Sequence, residues 1–272
     1  MNPKNVLIIG SGTGGILSAN LLSRFLRKKI REGFLKITLL AESGRHYFQP
    51  ANLDVAFRGA DPSRFYRDVS SLIKPKVNLV HDQATYIDLS NRRVRLAKGG
   101  LINYDYLIIS TGSVALPEAI PGLAEGSLNF HSSPENASEI WSALNKINGG
   151  KILVTIAGVP HKCPPSPNEA VFLLDEYFRK RGIRERIEIK LLTPYGRAYP
   201  AHAISEVVER LFEERNIEVV PFFNLESVDQ LRRKIYSYEG EEHAYDLLIS
   251  IPPHFGASVI RSSGIGDRDG WI

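Results

Sequence analysis

Cys163, the single cysteine of this chain, is its residue best suited to covalent or redox work, because a thiolate is a strong nucleophile toward sulfur and other soft electrophiles. It lies in the stretch GVPHKCPPSPNE (158–169), with His161 and Lys162 before it and a helical pattern after it. Positive neighbours and a helix N-terminus both favour thiolate over thiol, so the spacing predicts an activated cysteine. Pro160, Pro164, Pro165 and Pro167 fix the loop and remove backbone N–H donors. That makes it a rigid mount for a side chain and a poor cradle for a phosphate. Glu169 falls in the first turn of the following helix, where it suits the helix dipole or serves as an acid or base near the thiol. His202, in the loop YGRAYPAH (195–202), is a candidate proton carrier whose plainer reading is an exposed loop residue. His46 and His131 read as exposed loop residues too.

A second constellation is GSGTGG at 10–15. Gly10 permits a tight turn, Gly12 lets the backbone approach a pyrophosphate, and Gly15 lets a helix pack closely on the preceding strand. Thr13 and Gly14 complete the turn over the anion. The apolar run 5–9 precedes it, and Ile16, Ala19, Leu22, Phe25 and Leu26 follow at helical spacing. A second apolar run, 37–41, ends in Glu42, whose carboxylate can accept hydrogen bonds from ribose hydroxyls. The pieces make a nucleotide-binding βαβ unit with a lengthened helix around 27–32.

The elements that must hold these groups form two alternating series. Residues 84–89 and 93–96 alternate like hairpin strands around Asn91, and 104–111 reads as a strand running into Thr111 and Gly112. Such a meander inside a Rossmann-type domain points to FAD rather than NAD. Residues 151–156, 187–192, 217–221 and 245–251 then read as strands, with helices at 168–181 and 204–214. The fold class is α/β, with two Rossmann-like (FAD/NAD(P)-binding) domains and a β-meander insertion. The divisions are a FAD-binding domain at 1–115, a second domain carrying Cys163 at 116–250, and a return segment toward the first at 251–272. A nicotinamide domain would repeat the glycine turn after 151–156; the proline loop stands there instead, which disfavours NAD(P)H as the direct donor.

Composition narrows the classes further. With 272 residues and 43% hydrophobic content, the chain can bury two ordinary cores. A net charge of +4 without a basic, aromatic-interleaved stripe argues against nucleic acid. One cysteine excludes an internal disulfide, and no Cys/His spacing suits a metal. The first apolar run leads into a glycine turn rather than a cleavage site, and no apolar run approaches the ~18 residues that span a bilayer. The expectation is a cytoplasmic protein, compatible with peripheral attachment to a membrane.

The glycine turn, the segments HYFQP (46–50) and YDYLIISTGS (104–113), and CPPSPNE (163–169) together resemble the sulfide:quinone oxidoreductases and their relatives among two-domain flavoproteins. The resemblance implies that Gly10, Gly12, Gly15 and Glu42 hold the ADP half of FAD, that Thr111 and Gly112 lie near the cofactor, and that Pro50 approaches the flavin ring. It also implies that Cys163 carries sulfur from sulfide or a related small sulfur species, with a quinone or another acceptor taking the electrons. The usual companion cysteines are missing: HSSPENASE (131–139) has Ser132 and Ser133 where a thiol is expected, so a cysteine-bridged polysulfide is excluded and a persulfide on Cys163 is not. DRDGWI (267–272) resembles the lead-in to a third flavin motif, and the family pattern runs on past it, so completion of the site by a second copy or a complementary C-terminal chain is one expectation. Two alternatives stand beside sulfide oxidation: an NAD(P)H dehydrogenase of the same fold, and a non-catalytic or split subunit, which exposed apolar surface around 249–255 would support.

Overall fold

The computed structural model describes residues 2–272, which divide into two compact units. One comprises residues 2–48, Phe65–Val114 and Phe255–Ile272; the other comprises Gln49–Arg64 and Ala115–His254.

The first unit is built on a four-stranded parallel sheet in the order Val77–His81, Leu35–Ala41, Lys4–Ile9, Tyr106–Ile109. The central strand shows why the run 5–9 is unbroken in its hydrophobicity. Val6 and Ile8 point to one face, packing on Ile16 and Ala19 of the helix Thr13–Phe25. Leu7 and Ile9 point to the other, onto Ile87, Val94 and Tyr104. Alternating side chains that find cover on both faces leave no place for a polar residue. The covering layer on the second face is the antiparallel meander Ala84–Asp88, Arg93–Leu96 and Leu101–Asn103. Its first turn is closed by the Asp88 carboxylate accepting from the Asn91 N–H at 3.0 Å. The C-terminal helix Ser258–Ser263 also belongs to this unit and contributes Val259 and Ile260 to the same core.

The second unit is a five-stranded parallel sheet ordered Leu128–Asn129, Leu247–Ile251, Gly150–Ile156, Ile187–Leu192, Ile217–Val220. Every residue of Leu247–Ile251 is buried. The apolar run at the end of this unit is therefore sheet core, and the exposed apolar surface entertained for 249–255 is absent: Ile249, Ile251 and His254 are all buried. An antiparallel meander, Leu225–Asp229, Lys234–Ser237 and Glu242–Ala244, packs on this core through Leu225, Val228 and Ile235. The fully buried Asp175 holds the helix Ser166–Lys180 to its surroundings by ion pairs with Arg179, Arg184 and Arg215 at 2.9, 2.7 and 3.0 Å. The segment Gln49–Arg64, which lies within the first series of elements along the sequence, packs with this unit and carries the helix Asn52–Arg58.

Candidate functional site

In the first unit the strand Lys4–Ile9 delivers the chain into the glycine turn, and two glycines there are fixed by contact. Gly10 has φ +102°, and a Cβ on it would stand 2.2 Å from the Ser110 carbonyl oxygen; a Cβ on Gly15 would stand 1.8 Å from the Gly10 carbonyl oxygen. Gly12 differs from both. It is the N-cap of the helix Thr13–Phe25, which has neither a side-chain cap nor an acidic residue in its first turn, and a Cβ on it would meet nothing within 4 Å. The helix thus opens into free space with uncapped N–H groups, an arrangement that accepts a phosphate anion. Gly14 faces Ser110 Oγ, Gly112 adopts φ +67° with open space around it, and Glu42 is exposed just past the strand Leu35–Ala41. Thr13 begins the helix and Thr111 is half-buried. His46 is half-buried, its Nδ1 3.3 Å from the Ser11 carbonyl.

In the second unit, three neighbouring parallel strands release their chains at one end of the sheet, and each exit carries a histidine. His131 follows Leu128–Asn129, His254 follows Leu247–Ile251, and His161 follows Gly150–Ile156. Asn129 and Thr155 both pair with Ser250, so the three exits are level. The ring centroids lie 5.3 Å apart for His131 and His254 and 6.4 Å from each of these to His161. The carboxyl edge of a parallel sheet is where such folds place ligands.

Cys163 stands beside this cluster. It is exposed and adopts φ +58°, a left-handed conformation uncommon for a residue with a side chain and associated with functional strain. Its thiol is hydrogen-bonded to the side chain and backbone of Ser166. Cys163, Lys162, Ser166 and His131 line a cavity of about 140 Å³ with Gln49, Pro50, Asn52, Leu53 and Phe130. The turn Gln49–Ala51 and the helix Asn52–Arg58 form its far wall, anchored by Asn52 Nδ2 donating to the Phe130 carbonyl at 2.7 Å. Pro50 therefore lines the same cavity as Cys163.

Two expectations change here. His131 is not an exposed loop residue: only 4% of it is accessible, because the strand exit turns it beneath the cysteine loop. And the surroundings of Cys163 favour thiol, not thiolate. Partial desolvation and the carboxylate of Glu169 in the first turn of the helix push its pKa above the ordinary value, outweighing the Ser166 hydrogen bonds. The neighbouring cation is itself weakened, since burial lowers the pKa of Lys162. His202 begins the helix His202–Glu214 with 71% of its side chain exposed and pairs with Glu206 at 3.4 Å, away from the cavity lining.

The histidines also show the cost of burial. That of His131 falls to about 2, through burial first and then the charges of His254, Lys162 and His161. That of His254 falls to about 4, through burial first and then Lys162, against the pull of the Pro252 carbonyl. Sequence reasoning missed Ser166, Gln49, Asn52 and His254 as lining or supporting residues. The available signal was a histidine shortly after each of two apolar strands, invisible as a cluster until the strands are known to be adjacent.

The family model for pyridine nucleotide-disulphide oxidoreductases matches residues 4–250. The chain belongs to that family. Its relatives include the mitochondrial sulfide:quinone oxidoreductase of Mus musculus, 28% identical over 281 residues, covering 100% of this chain and 61% of the relative. The sulfide-quinone reductase of Aquifex aeolicus is 28% identical over 277 residues, covering 96% and 61%. This chain thus spans about three fifths of the length of these relatives. Among solved structures, the sulfide:quinone oxidoreductase from Aquifex aeolicus superposes with a TM-score of 0.82 at 25% identity, over 97% of this chain and 62% of that one. The fold is shared with NDH2 from Plasmodium falciparum, at a TM-score of 0.73 and 17% identity, over 96% and 57%. Members of the pyridine nucleotide-disulphide oxidoreductase family are FAD-dependent oxidoreductases, which makes FAD the cofactor of this chain. The fixed Gly10 and Gly15 and the open Gly12 fit that cofactor's pyrophosphate. Among the described residues no helix is long and apolar enough to cross a membrane.

Proposed function

We propose that this chain oxidises sulfide, or a related small sulfur species, at Cys163. The observation that carries the reading is a lone cysteine lining a cavity of about 140 Å³ with Ser166, His131 and Lys162, in a chain whose relatives bear the name sulfide:quinone oxidoreductase. A cavity of that size suits a molecule of a few heavy atoms. In this reading Gly10, Gly12, Thr13, Gly14, Gly15 and Glu42 hold the ADP half of FAD, Thr111 and Gly112 lie along the rest of it, and Pro50 approaches its ring. Joining one sulfide sulfur to Cys163 Sγ makes one S–S bond and releases two electrons and two protons. Bound FAD supplies the two-electron acceptor for that step and is reoxidised by a quinone or another acceptor. Glu169 is the acid–base group beside the thiol, and His202 exchanges protons with solvent.

The test is the anaerobic visible spectrum of the purified protein before and after sulfide is added. Bleaching of the flavin bands in the wild type and its loss in Cys163→Ser are expected, with the reduction rate down by about a hundredfold or more. Unchanged bleaching in Cys163→Ser overturns the reading, and bleaching by NADH but not by sulfide replaces it with a nicotinamide-dependent one.

A further inference from the structure

Behind Cys163 runs a chain of hydrogen bonds whose direction can be read from one end. The Pro252 carbonyl oxygen can only accept, so the His254 nitrogen 2.7 Å from it, Nδ1, carries the proton. Neutral His254 then presents a bare Nε2, and His131 Nδ1, 3.3 Å away, must be the donor. Neutral His131 in turn presents a bare Nε2, so Ser166 Oγ donates to it at 2.9 Å. With its hydrogen committed to His131, Ser166 has only lone pairs for the thiol that it contacts, and the Cys163 S–H points at Ser166 Oγ. Both imidazoles are neutral because burial and the nearby Lys162 and His161 oppose a further positive charge.

We propose that Ser166, His131 and His254 form a relay that takes the proton from the Cys163 thiol when its sulfur attacks. The transfer balances without any other reactant. The S–H bond breaks as its proton passes to Ser166 Oγ, the Ser166 proton passes to His131 Nε2, and the sulfur keeps the electron pair. The positive charge can then move one ring further, as His131 Nδ1–H gives its proton to His254 Nε2, where the Pro252 carbonyl supports the imidazolium through Nδ1–H. In the same movement Ser166 turns from acceptor to donor toward the sulfur, so the hydroxyl that stabilises the resting thiol stabilises the thiolate. Lys162 and His161 raise the cost of the imidazolium, and Glu169, which acts on the thiol from the next helical turn, raises the cost of the thiolate. Proton and charge therefore move only during attack, and the resting site stays neutral. Ser166 and the two histidines are positioning and proton-handling residues, reaching the reacting sulfur through one another.

This inference deepens the sulfur-chemistry reading and rests on it, yet it can be tested without sulfide or flavin, because the chain has one cysteine and alkylation by iodoacetamide reports on that thiol alone. The probe is the alkylation rate from pH 6 to pH 10 in the wild type, Ser166→Ala, Ser166→Thr, His131→Gln and His254→Gln. The relay predicts that Ser166→Ala and His131→Gln slow alkylation at pH 7 by about tenfold or more. All variants should converge at pH 10, where hydroxide removes the proton, and Ser166→Thr should retain most of the neutral-pH rate. His254→Gln should lie between the extremes. A Ser166→Ala profile that matches the wild type at pH 7 overturns the relay even if the histidine variants fold poorly. An equal slowing at every pH also overturns it, because that marks altered access to the thiol. Sulfide-dependent bleaching lost in Cys163→Ser alongside a wild-type alkylation profile in Ser166→Ala would leave the sulfur chemistry standing and remove the relay alone.

Discussion

The two units begin alike and differ at one turn. Each starts with a buried parallel strand, Lys4–Ile9 in one and Gly150–Ile156 in the other, and each leads through a loop to a long helix, Thr13–Phe25 or Ser166–Lys180. In the first, the loop is glycine: it presses backbone against backbone and leaves the helix N-terminus open. In the second, the loop is proline-rich and the helix begins with Pro165 as its N-cap and Glu169 in its first turn, a carboxylate where an anion would otherwise sit. One turn is shaped to receive negative charge from a ligand and the other to present a side chain. The same supersecondary unit thus yields a cofactor cradle or a thiol mount, depending on whether the turn offers N–H groups or removes them.

The sharpest break of this contrast is Gly15→Ala. A methyl there would lie 1.8 Å from the Gly10 carbonyl oxygen, a backbone atom that cannot swing aside, so strand and helix must separate. A loss on the order of 4 kcal/mol or more is expected, seen as failure to purify a folded, flavin-binding protein. A stable, flavin-replete Gly15→Ala protein would show that the close approach of strand and helix is not required.

Next in size is acid lability confined to the second unit. The buried histidines among the described residues are His131 and His254, and both belong to it. Their folded pKa values, about 2 and about 4, lie below the ordinary 6.5. The unfolded chain therefore binds protons that the folded chain refuses, so stability is full above pH 6.5 and falls as the pH drops through that value. At pH 5 each histidine costs roughly 2 kcal/mol relative to pH 8. Denaturant midpoints measured from pH 8 to pH 5 should fall steeply in the wild type and about half as steeply in His254→Gln. An unchanged slope in that variant would remove the burial of His254 as the cause.

What was legible in the sequence follows the same division. The glycine turn could be read because its chemistry is local: spacing within six residues determines how the backbone turns. The strands 5–9, 37–41, 151–156 and 187–192 could be read because parallel strands covered on both faces must be continuously apolar. The strand Val77–His81 and the second meander went unread, as their residues alternate between half-buried and exposed and are shared with charged turns. The histidine cluster was illegible for a different reason. His131 and His254 are 123 residues apart, and only the pairing of Leu128–Asn129 with Leu247–Ile251 brings them together. The thiolate expectation failed on a balance of terms. Lys162 and the helix N-terminus were visible in the sequence, whereas desolvation of the thiol and the facing of Glu169 toward it depend on the fold.

The smallest effect on stability should come with a complete loss of binding, which makes Gly12→Asp the most discriminating change. Gly12 has φ −73° and ψ −173°, extended backbone open to any residue, and nothing within 4 Å would obstruct a Cβ. It is also the N-cap, where aspartate is among the preferred residues and exceeds glycine by a few tenths of a kcal/mol, or about that much again from the dipole. The variant should therefore melt at or slightly above the temperature of the flavin-free wild type. Its carboxylate would occupy the space and the positive potential that a pyrophosphate needs, giving the first turn the character that Glu169 gives the second. Flavin bound after reconstitution, read from visible absorbance per polypeptide, should fall by about tenfold or more. A Gly12→Asp protein that binds FAD like the wild type would mean that the open helix end is not where the cofactor's phosphates rest, and the contrast between the two turns would lose its functional meaning.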